Sequence, residues 1–133
     1  MRRVSRYAPA LAVMAVIFGL SAQPDLSSGL GAWDTLLRKL AHITIYAILW
    51  LTVARATRWR RPVLATVIAL LYAAGDELHQ SFVPGRHGTP VDVAIDAVGM
   101  GLAAFACAHA AHRRGGRPGP PWPRRWGFTE PQA

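Results

Sequence analysis

The chain has a single cysteine and only seven acidic residues among its 133 positions. With Cys107 alone, no disulfide can form within the chain and no cysteine-based metal motif exists. The sequence also lacks a glycine-rich phosphate loop, a nucleophile elbow, a zinc finger and a base-stacking motif. These absences argue against the soluble enzyme classes, and against a nucleic-acid partner even though the net charge is +8.

The residues that dominate the chain are apolar. Hydrophobic residues make up 52% and charged residues 17%, and the mean hydropathy is +0.20. Four apolar runs, at residues 7–22, 36–56, 62–81 and 90–111, each approach the roughly 20 residues that a membrane-spanning helix needs. These runs leave too little polar sequence to cover a soluble core. The sequence therefore predicts an all-α integral membrane bundle of about four transmembrane helices.

The placement of basic residues predicts how this bundle is oriented. One side receives the arginines of the N-terminus, the second connection and the C-terminus: Arg2, Arg3, Arg6, Arg55, Arg58, Arg60, Arg61, Arg113, Arg114, Arg117, Arg124 and Arg125. The other side receives only Arg38, Lys39 and Arg86. By the positive-inside rule both termini are cytoplasmic. The first run is interpreted as a retained helix rather than a signal peptide, because Leu20 would occupy the −3 position of a cleavage site.

The composition changes after the fourth apolar run. Residues 1–112 form the predicted membrane domain, and residues 113–133 are rich in proline, glycine and arginine, with Trp122 and Trp126 among them. Such a segment cannot bury a core, so we expect a disordered cytoplasmic tail.

Ionisable residues in three of the runs are predicted to lie at one depth. At 1.5 Å per residue, His42, Asp76 and Asp96 each fall roughly 9 Å below the outer edge of a hydrocarbon layer about 30 Å thick. A charge in hydrocarbon costs about 2.5–3.5 kcal/mol even on lenient scales. We therefore expect these side chains to face one another inside the bundle.

Helical spacing extends each of these positions into a polar stripe, because residues three, four or seven apart share a helix face. The three stripes are Lys39, His42 and Tyr46; Tyr72, Asp76 and Gln80, with Glu77 and Ser81 beside them; and Asp92, Asp96 and Gly99. Gly99 should let another helix approach closely. The stripes predict an outward-opening polar pocket among the second, third and fourth helices, with the first helix as mainly apolar cover.

The connection after the third helix is predicted to fold over this pocket. Pro84-Gly85 is a turn signal, and it should direct Arg86 at the pocket. Thr89 can cap the fourth helix, with Pro90 at the first helical position.

At these residues the chain resembles the VanZ-like family of bacterial integral membrane proteins. The matching elements are Lys39-x-x-His42-x-x-x-Tyr46, Asp76-Glu77-x-x-Gln80-x-Phe82-x-Pro84-Gly85-Arg86 and Asp92-x-x-x-Asp96-x-x-Gly99. The chain departs from the family at Asp96, where Asn is frequent, and at Thr89, where Ser is common. The resemblance implies a multi-pass protein of the bacterial inner membrane, linked through its namesake to low-level resistance to the glycopeptide teicoplanin. It implies no settled molecular activity.

Three functions fit such a pocket. In the first, Arg38, Lys39 and Arg86 hold the phosphate of an anionic lipid or a cell-envelope precursor, while His42 and the carboxyl groups move a proton. In the second, the buried charges only clamp the helices together. In the third, His42 and the carboxylates bind a divalent metal in a membrane hydrolase, although their spacing matches no recognised metal signature.

Two sets of residues carry these hypotheses, with membrane lipids as the expected partners. The candidate catalytic residues are His42, Asp76, Glu77 and Asp96. The candidate ligand-binding residues are Lys39, His42, Tyr46, Asp76, Glu77, Gln80, Arg86, Asp92 and Asp96.

Overall fold

The computed structural model describes residues 5–24 and 31–121. Over these ranges the backbone forms four α-helices and no strand: α1 (Ala8–Ser21), α2 (Ala32–Ala56), α3 (Pro62–Gln80) and α4 (Pro90–Arg113). The all-α prediction is confirmed. The helices follow the predicted apolar runs closely, except that α2 begins at Ala32 rather than at residue 36 and α4 continues to Arg113 rather than ending at residue 111.

Some predictions fall outside the described residues. Arg2 and Arg3 of the basic N-terminus lie there, as do residues 25–30 of the first connection and the tail from Trp122 onward. The described part of the tail leaves α4 through turns, with the Arg114 side chain donating a hydrogen bond to the carbonyl oxygen of Pro120 at 2.7 Å.

Two of the helices are long and apolar enough to cross a membrane. These are α2, with 25 residues, and α4, with 24. The helix α1 is apolar but has only 14 residues, and α3 carries Asp76 and Glu77 within its 19 residues. Large apolar side chains point outward from all four helices, for example Leu11, Trp33, Leu71 and Phe105. An outer surface of this kind fits a bundle surrounded by lipid.

Proline and threonine set the starts of the helices. Proline occupies the first turn of α1, α3 and α4, where its missing N–H has no helical partner to lose. The hydroxyl oxygen of Thr89 accepts a hydrogen bond from the backbone N–H of Asp92 at 3.2 Å. The predicted cap of α4 is therefore confirmed.

The helix α2 lies at the centre of the bundle and contacts each of the other three helices. Its most extensive interface is with α4, where a Cβ atom at Gly99 would overlap the backbone carbonyl oxygen of Ile43. The close approach predicted for Gly99 is thus confirmed. On α3, the small side chains of Ala65, Ala69 and Ala73 are fully buried in the core. Because these alanines are four residues apart, they form one face of α3 that is buried inside the bundle.

Candidate functional site

The polar stripes of three helices meet at one end of the bundle. His42 Nδ1 on α2 lies 2.9 Å from Asp96 Oδ1 on α4. The hydroxyl of Tyr46, one turn further along α2, donates to Asp76 Oδ2 on α3 at 3.2 Å. Two of the residues predicted to share a depth, His42 and Asp96, are therefore in direct contact, and Asp76 is joined to the same face of α2 through Tyr46.

The end of α3 contributes two more buried side chains. Gln80 Nε2 donates to Asp76 Oδ2 at 3.0 Å and to Glu77 Oε1 at 3.3 Å. The other oxygen of Glu77 accepts the backbone N–H of Thr89 at 3.0 Å, so Glu77 connects α3 to the start of α4. We call His42, Tyr46, Asp76, Glu77, Gln80 and Asp96 the buried cluster.

One glycine that the sequence reasoning missed brings these elements together. A Cβ atom at Gly88 would overlap the backbone carbonyl oxygen of Glu77. A side chain here would push the connection away from α3 and weaken the contact between Thr89 and Glu77. The sequence signal that could have identified Gly88 is its place directly before Thr89, the cap residue of α4. Glycine is needed here because a side chain has no space, and not because of an unusual φ angle.

Arg86 contacts the cluster and also binds backbone carbonyl groups at the end of α1 and just beyond it. Its Nη1 donates to Gln80 Oε1 at 3.0 Å. Its Nε and Nη2 donate to the backbone carbonyl oxygens of Gln23 and Leu20, each at 3.0 Å. A cation at the C-terminal end of a helix is favourable, because carbonyl groups there lack helical partners. The first helix was predicted to be mainly apolar cover, and the structure adds that backbone carbonyl groups at and just beyond its end accept hydrogen bonds from Arg86.

Four residues of the predicted stripes lie away from the centre. Lys39 Nζ is 3.7 Å from Asp92 Oδ1, and both side chains are partly exposed, so this pair forms the rim. The hydroxyl of Tyr72 donates to the backbone carbonyl oxygen of Met14 on α1. Ser81 is exposed. Tyr72 was predicted to share the face of Asp76. It lies one turn nearer the middle of α3, and its hydrogen-bond partner there belongs to α1.

Two carboxylate oxygens in the buried cluster have no hydrogen-bond partner among the described residues. They are Asp76 Oδ1 and Asp96 Oδ2, on side chains that are 5% and 0% exposed. Buried polar atoms in proteins are nearly always paired. In addition, His42, Glu77 and Asp96 each offer a ligand atom, and these atoms lie within 4.8 Å of one another. These residues have the donor types and the proximity to hold a metal ion.

A cavity of about 500 Å³ lies beside the cluster. It is lined by Ile17, Leu20 and Ser21 of α1, by Arg38, Leu40, Ala41, His42, Thr44, Ile45 and Tyr46 of α2, and by Asp76 and Arg86. The pocket was predicted among α2, α3 and α4, but no residue of α4 lines this cavity. The close packing of Gly99 on Ile43 leaves little room between α2 and α4, so the open space lies on the α1 side. We call it the α1–α2 cavity.

The comparison with known families decides how the chain is classified. The family model described as VanZ/LLP1 matches residues 3–111, which include α1, α2, α3 and nearly all of α4. The chain belongs to the VanZ/LLP1 family. The resemblance found in its motifs is thereby confirmed. No curated protein and no solved structure matches the chain.

Family membership and the two long apolar helices together indicate that this VanZ-family protein is a membrane protein. Its polar end has two parts that share His42, Tyr46 and Asp76. One is the buried cluster, which joins three helices. The other is the α1–α2 cavity, whose lining combines aliphatic side chains with Arg38 and Arg86.

Proposed function

We propose that this VanZ-family protein binds an anionic lipid or a lipid-linked cell-envelope precursor in the α1–α2 cavity. The observation that carries the proposal is the lining of that cavity. Ile17, Leu20 and Ile45 offer apolar contact, and Arg38 and Arg86 stand in the same lining. A ligand with a hydrocarbon chain and a phosphate group matches both surfaces.

The chemistry of arginine supports a phosphate group as the anionic part. The guanidinium group presents several N–H donors in a planar fork that fits phosphate oxygens. Arg38 is held by an ion pair with Asp34 at 2.7 Å, and Arg86 is held by Gln80 and the end of α1. Both are therefore positioned before a ligand arrives, which lowers the entropic cost of binding. The volume of about 500 Å³ falls in the usual range of small-molecule sites, about 300–1,000 Å³.

The proposal includes a membrane arrangement. All four helices span the bacterial inner membrane, both termini are cytoplasmic, and the polar end faces outward. The arginine-rich connection between α2 and α3 supports this orientation, because it lies at the opposite end of the bundle from the buried cluster. The hydrogen bonds that Met14 and Leu20 of α1 accept from α3 and from Arg86 support a first helix that is retained.

An outward-facing site would meet lipid-linked precursors of the cell envelope where they are used. Binding or altering such a precursor is a route to teicoplanin resistance, which is the property of the family's namesake. Deletion of the gene in a host without paralogues should therefore change the envelope-lipid pools or the teicoplanin susceptibility. Unchanged pools together with unchanged susceptibility would contradict this part of the proposal.

Native mass spectrometry of the protein released from nanodiscs tests the binding itself. Separate discs of a zwitterionic lipid should carry phosphatidylglycerol, undecaprenyl phosphate or no anionic lipid, and inorganic phosphate should be added to the last. Retained phosphatidylglycerol or undecaprenyl phosphate identifies the lipid source, whereas an effect of inorganic phosphate alone would point to a soluble ligand.

Two arginine variants provide the matched comparison. Arg86→Gln should reduce lipid retention at least about tenfold, because a charge-assisted hydrogen bond is lost. Arg60→Gln removes the same charge from an exposed position at the other end of the bundle and should leave retention unchanged. Equal retention of anionic and zwitterionic lipids by the unaltered protein would overturn the proposal.

A further inference from the structure

The buried cluster concentrates negative charge in the interior of the bundle. Asp76, Glu77 and Asp96 are 5%, 5% and 0% exposed. Ionised carboxylates in such a place need a positive partner, because the interior solvates them poorly. Four of the seven acidic residues of the chain, these three and Asp92, fall within residues 76–96.

The neighbouring cations Lys39 and Arg86 do not pair with the three buried acids. Lys39 pairs with Asp92 at the partly exposed rim. Arg86 donates its hydrogen bonds to an amide oxygen and to two backbone carbonyls. Within the cluster, His42 is the one side chain that can carry a positive charge, and it contacts Asp96. Three buried acids and one imidazole leave negative charge to be compensated.

Some carboxylate oxygens of the cluster lack a hydrogen-bond donor in the described part of the chain. Tyr46 and Gln80 both donate to Asp76 Oδ2, and the N–H of Thr89 donates to Glu77. Asp76 Oδ1 and Asp96 Oδ2 receive no donor from the described residues. A cation bound by carboxylate oxygens would compensate the negative charge and give such an oxygen a partner.

The spacing of the donor atoms suits a metal ion. His42 Nδ1 and Asp96 Oδ1 are 2.9 Å apart, and His42, Glu77 and Asp96 offer ligand atoms within 4.8 Å of one another. Adjacent ligands at about 2.1 Å from an ion, at right angles, lie about 3 Å apart. The three donors come from three different helices, so the bundle presents them from three directions.

We propose that His42, Glu77 and Asp96 bind one divalent cation, Mn²⁺ or Zn²⁺, with Asp76 as a neighbouring carboxylate outside the coordinating trio. One imidazole with carboxylate oxygens is a donor set that suits these ions. The proposal goes beyond lipid binding and does not rest on it, because the argument uses the cluster and not the cavity. Since His42 also lines the cavity, the ion would stand at the wall of that cavity.

Metal analysis of the full-length protein tests this directly. The protein, purified in detergent without chelators, should contain about one equivalent of Mn or Zn by inductively coupled plasma mass spectrometry. After treatment with EDTA, the protein should bind Mn²⁺ at one site. The loss of the free Mn²⁺ signal in electron paramagnetic resonance measures this binding. ZnCl₂ should raise the unfolding temperature by several degrees.

Matched variants separate a specific site from adventitious binding. Asp96→Asn and Glu77→Gln keep the size of each side chain but lose the charge, and each should weaken Mn²⁺ binding at least about tenfold. Asp34→Asn removes an acid from α2 that pairs with Arg38 outside the cluster, and it should change Mn²⁺ affinity less than about twofold.

Two results would overturn the proposal. One is the absence of metal from the purified protein together with no binding by the EDTA-treated protein. The other is equal Mn²⁺ affinity in the unaltered protein and in Glu77→Gln, with both monodisperse by size-exclusion chromatography. The unaltered protein alone gives the first result, so the test stands even if a variant fails to fold. These assays contain no anionic lipid. A negative result would therefore contradict metal binding alone, and lipid binding in the α1–α2 cavity is tested by the nanodisc experiment.

Discussion

The two interfaces of α2 differ in what they leave between the helices. Against α4, the glycine at position 99 lets the backbones touch, and His42 contacts Asp96 directly. Against α1, the helices separate enough to leave a cavity of about 500 Å³, with Arg86 at its edge. One helix therefore packs closely on α4, where the polar cluster lies, and leaves open space towards α1, where the proposed ligand site lies.

The largest expected effect comes from filling the tight interface. Gly99→Ala places a methyl group against the carbonyl oxygen of Ile43, and a helix backbone cannot move aside easily, so we expect a loss of about 3 kcal/mol of unfolding free energy. Gly101→Ala is the control, because nothing lies within 4 Å of a Cβ atom at that position. Chemical denaturation in detergent measures both variants. Equal stability of the two would contradict a close α2–α4 contact.

A smaller effect is expected when Arg86 no longer links the end of α1 to the rest of the bundle. Arg86→Gln removes hydrogen bonds to the carbonyl groups of Leu20 and Gln23, and since the arginine is partly exposed we expect a loss of about 2 kcal/mol. Hydrogen exchange should rise in the last turn of α1 and remain unchanged at the α2–α4 contact. Arg60→Gln should produce neither change. Equally increased exchange in α4 would show that the two interfaces do not act separately.

Two tyrosines allow the same substitution to be made inside the buried cluster and at the contact with α1. Tyr46→Phe removes a hydrogen bond inside the buried cluster, and Tyr72→Phe removes one between α3 and α1. Each should lower the unfolding free energy by about 1 kcal/mol. Only Tyr46→Phe should also alter Mn²⁺ affinity, because only Tyr46 contacts a cluster carboxylate. Isothermal titration with MnCl₂ measures this, and an equal change in both variants would argue against a distinct cluster.

The smallest effect is expected at the rim. Lys39→Gln removes a pair with Asp92 whose nitrogen–oxygen distance is 3.7 Å and whose side chains are 43% and 31% exposed. Solvent screens such a pair, so the loss in unfolding free energy should be below about 0.5 kcal/mol. Thermal unfolding of the variant and the unaltered protein measures this loss of stability. A loss comparable to that of Arg86→Gln would mean that the rim carries more of the fold than its exposure indicates.

Much of the buried cluster follows from the sequence because helix geometry is regular. The rise per residue brought His42, Asp76 and Asp96 to one depth, and in the structure His42 contacts Asp96 while Asp76 is bonded to Tyr46, one turn from His42. The cap at Thr89 was equally readable, since it depends on neighbouring residues alone.

The position of the open space was not readable from the sequence. A cavity depends on how far two helices stand apart, and this is set by packing over the whole bundle. Gly99 indicated a close contact but not which helix would make it. Tyr72 and Arg86 donate to backbone carbonyl groups in α1 or just after it. Every residue carries such a group, so no side-chain pattern marked these acceptors. Gly88 escaped notice for the same reason, because its contact is with backbone.

The most direct test of the proposed lipid site is photocrosslinking with an anionic phospholipid that carries a diazirine in its acyl chain. Peptide mapping by mass spectrometry should find the adducts concentrated on the cavity lining, at Ile17, Leu20 and residues 41–45, and Arg86→Gln should reduce them while leaving adducts at the outward-facing Phe105 unchanged. Adducts spread evenly over the outer faces of all four helices, with no dependence on Arg86, would contradict the account.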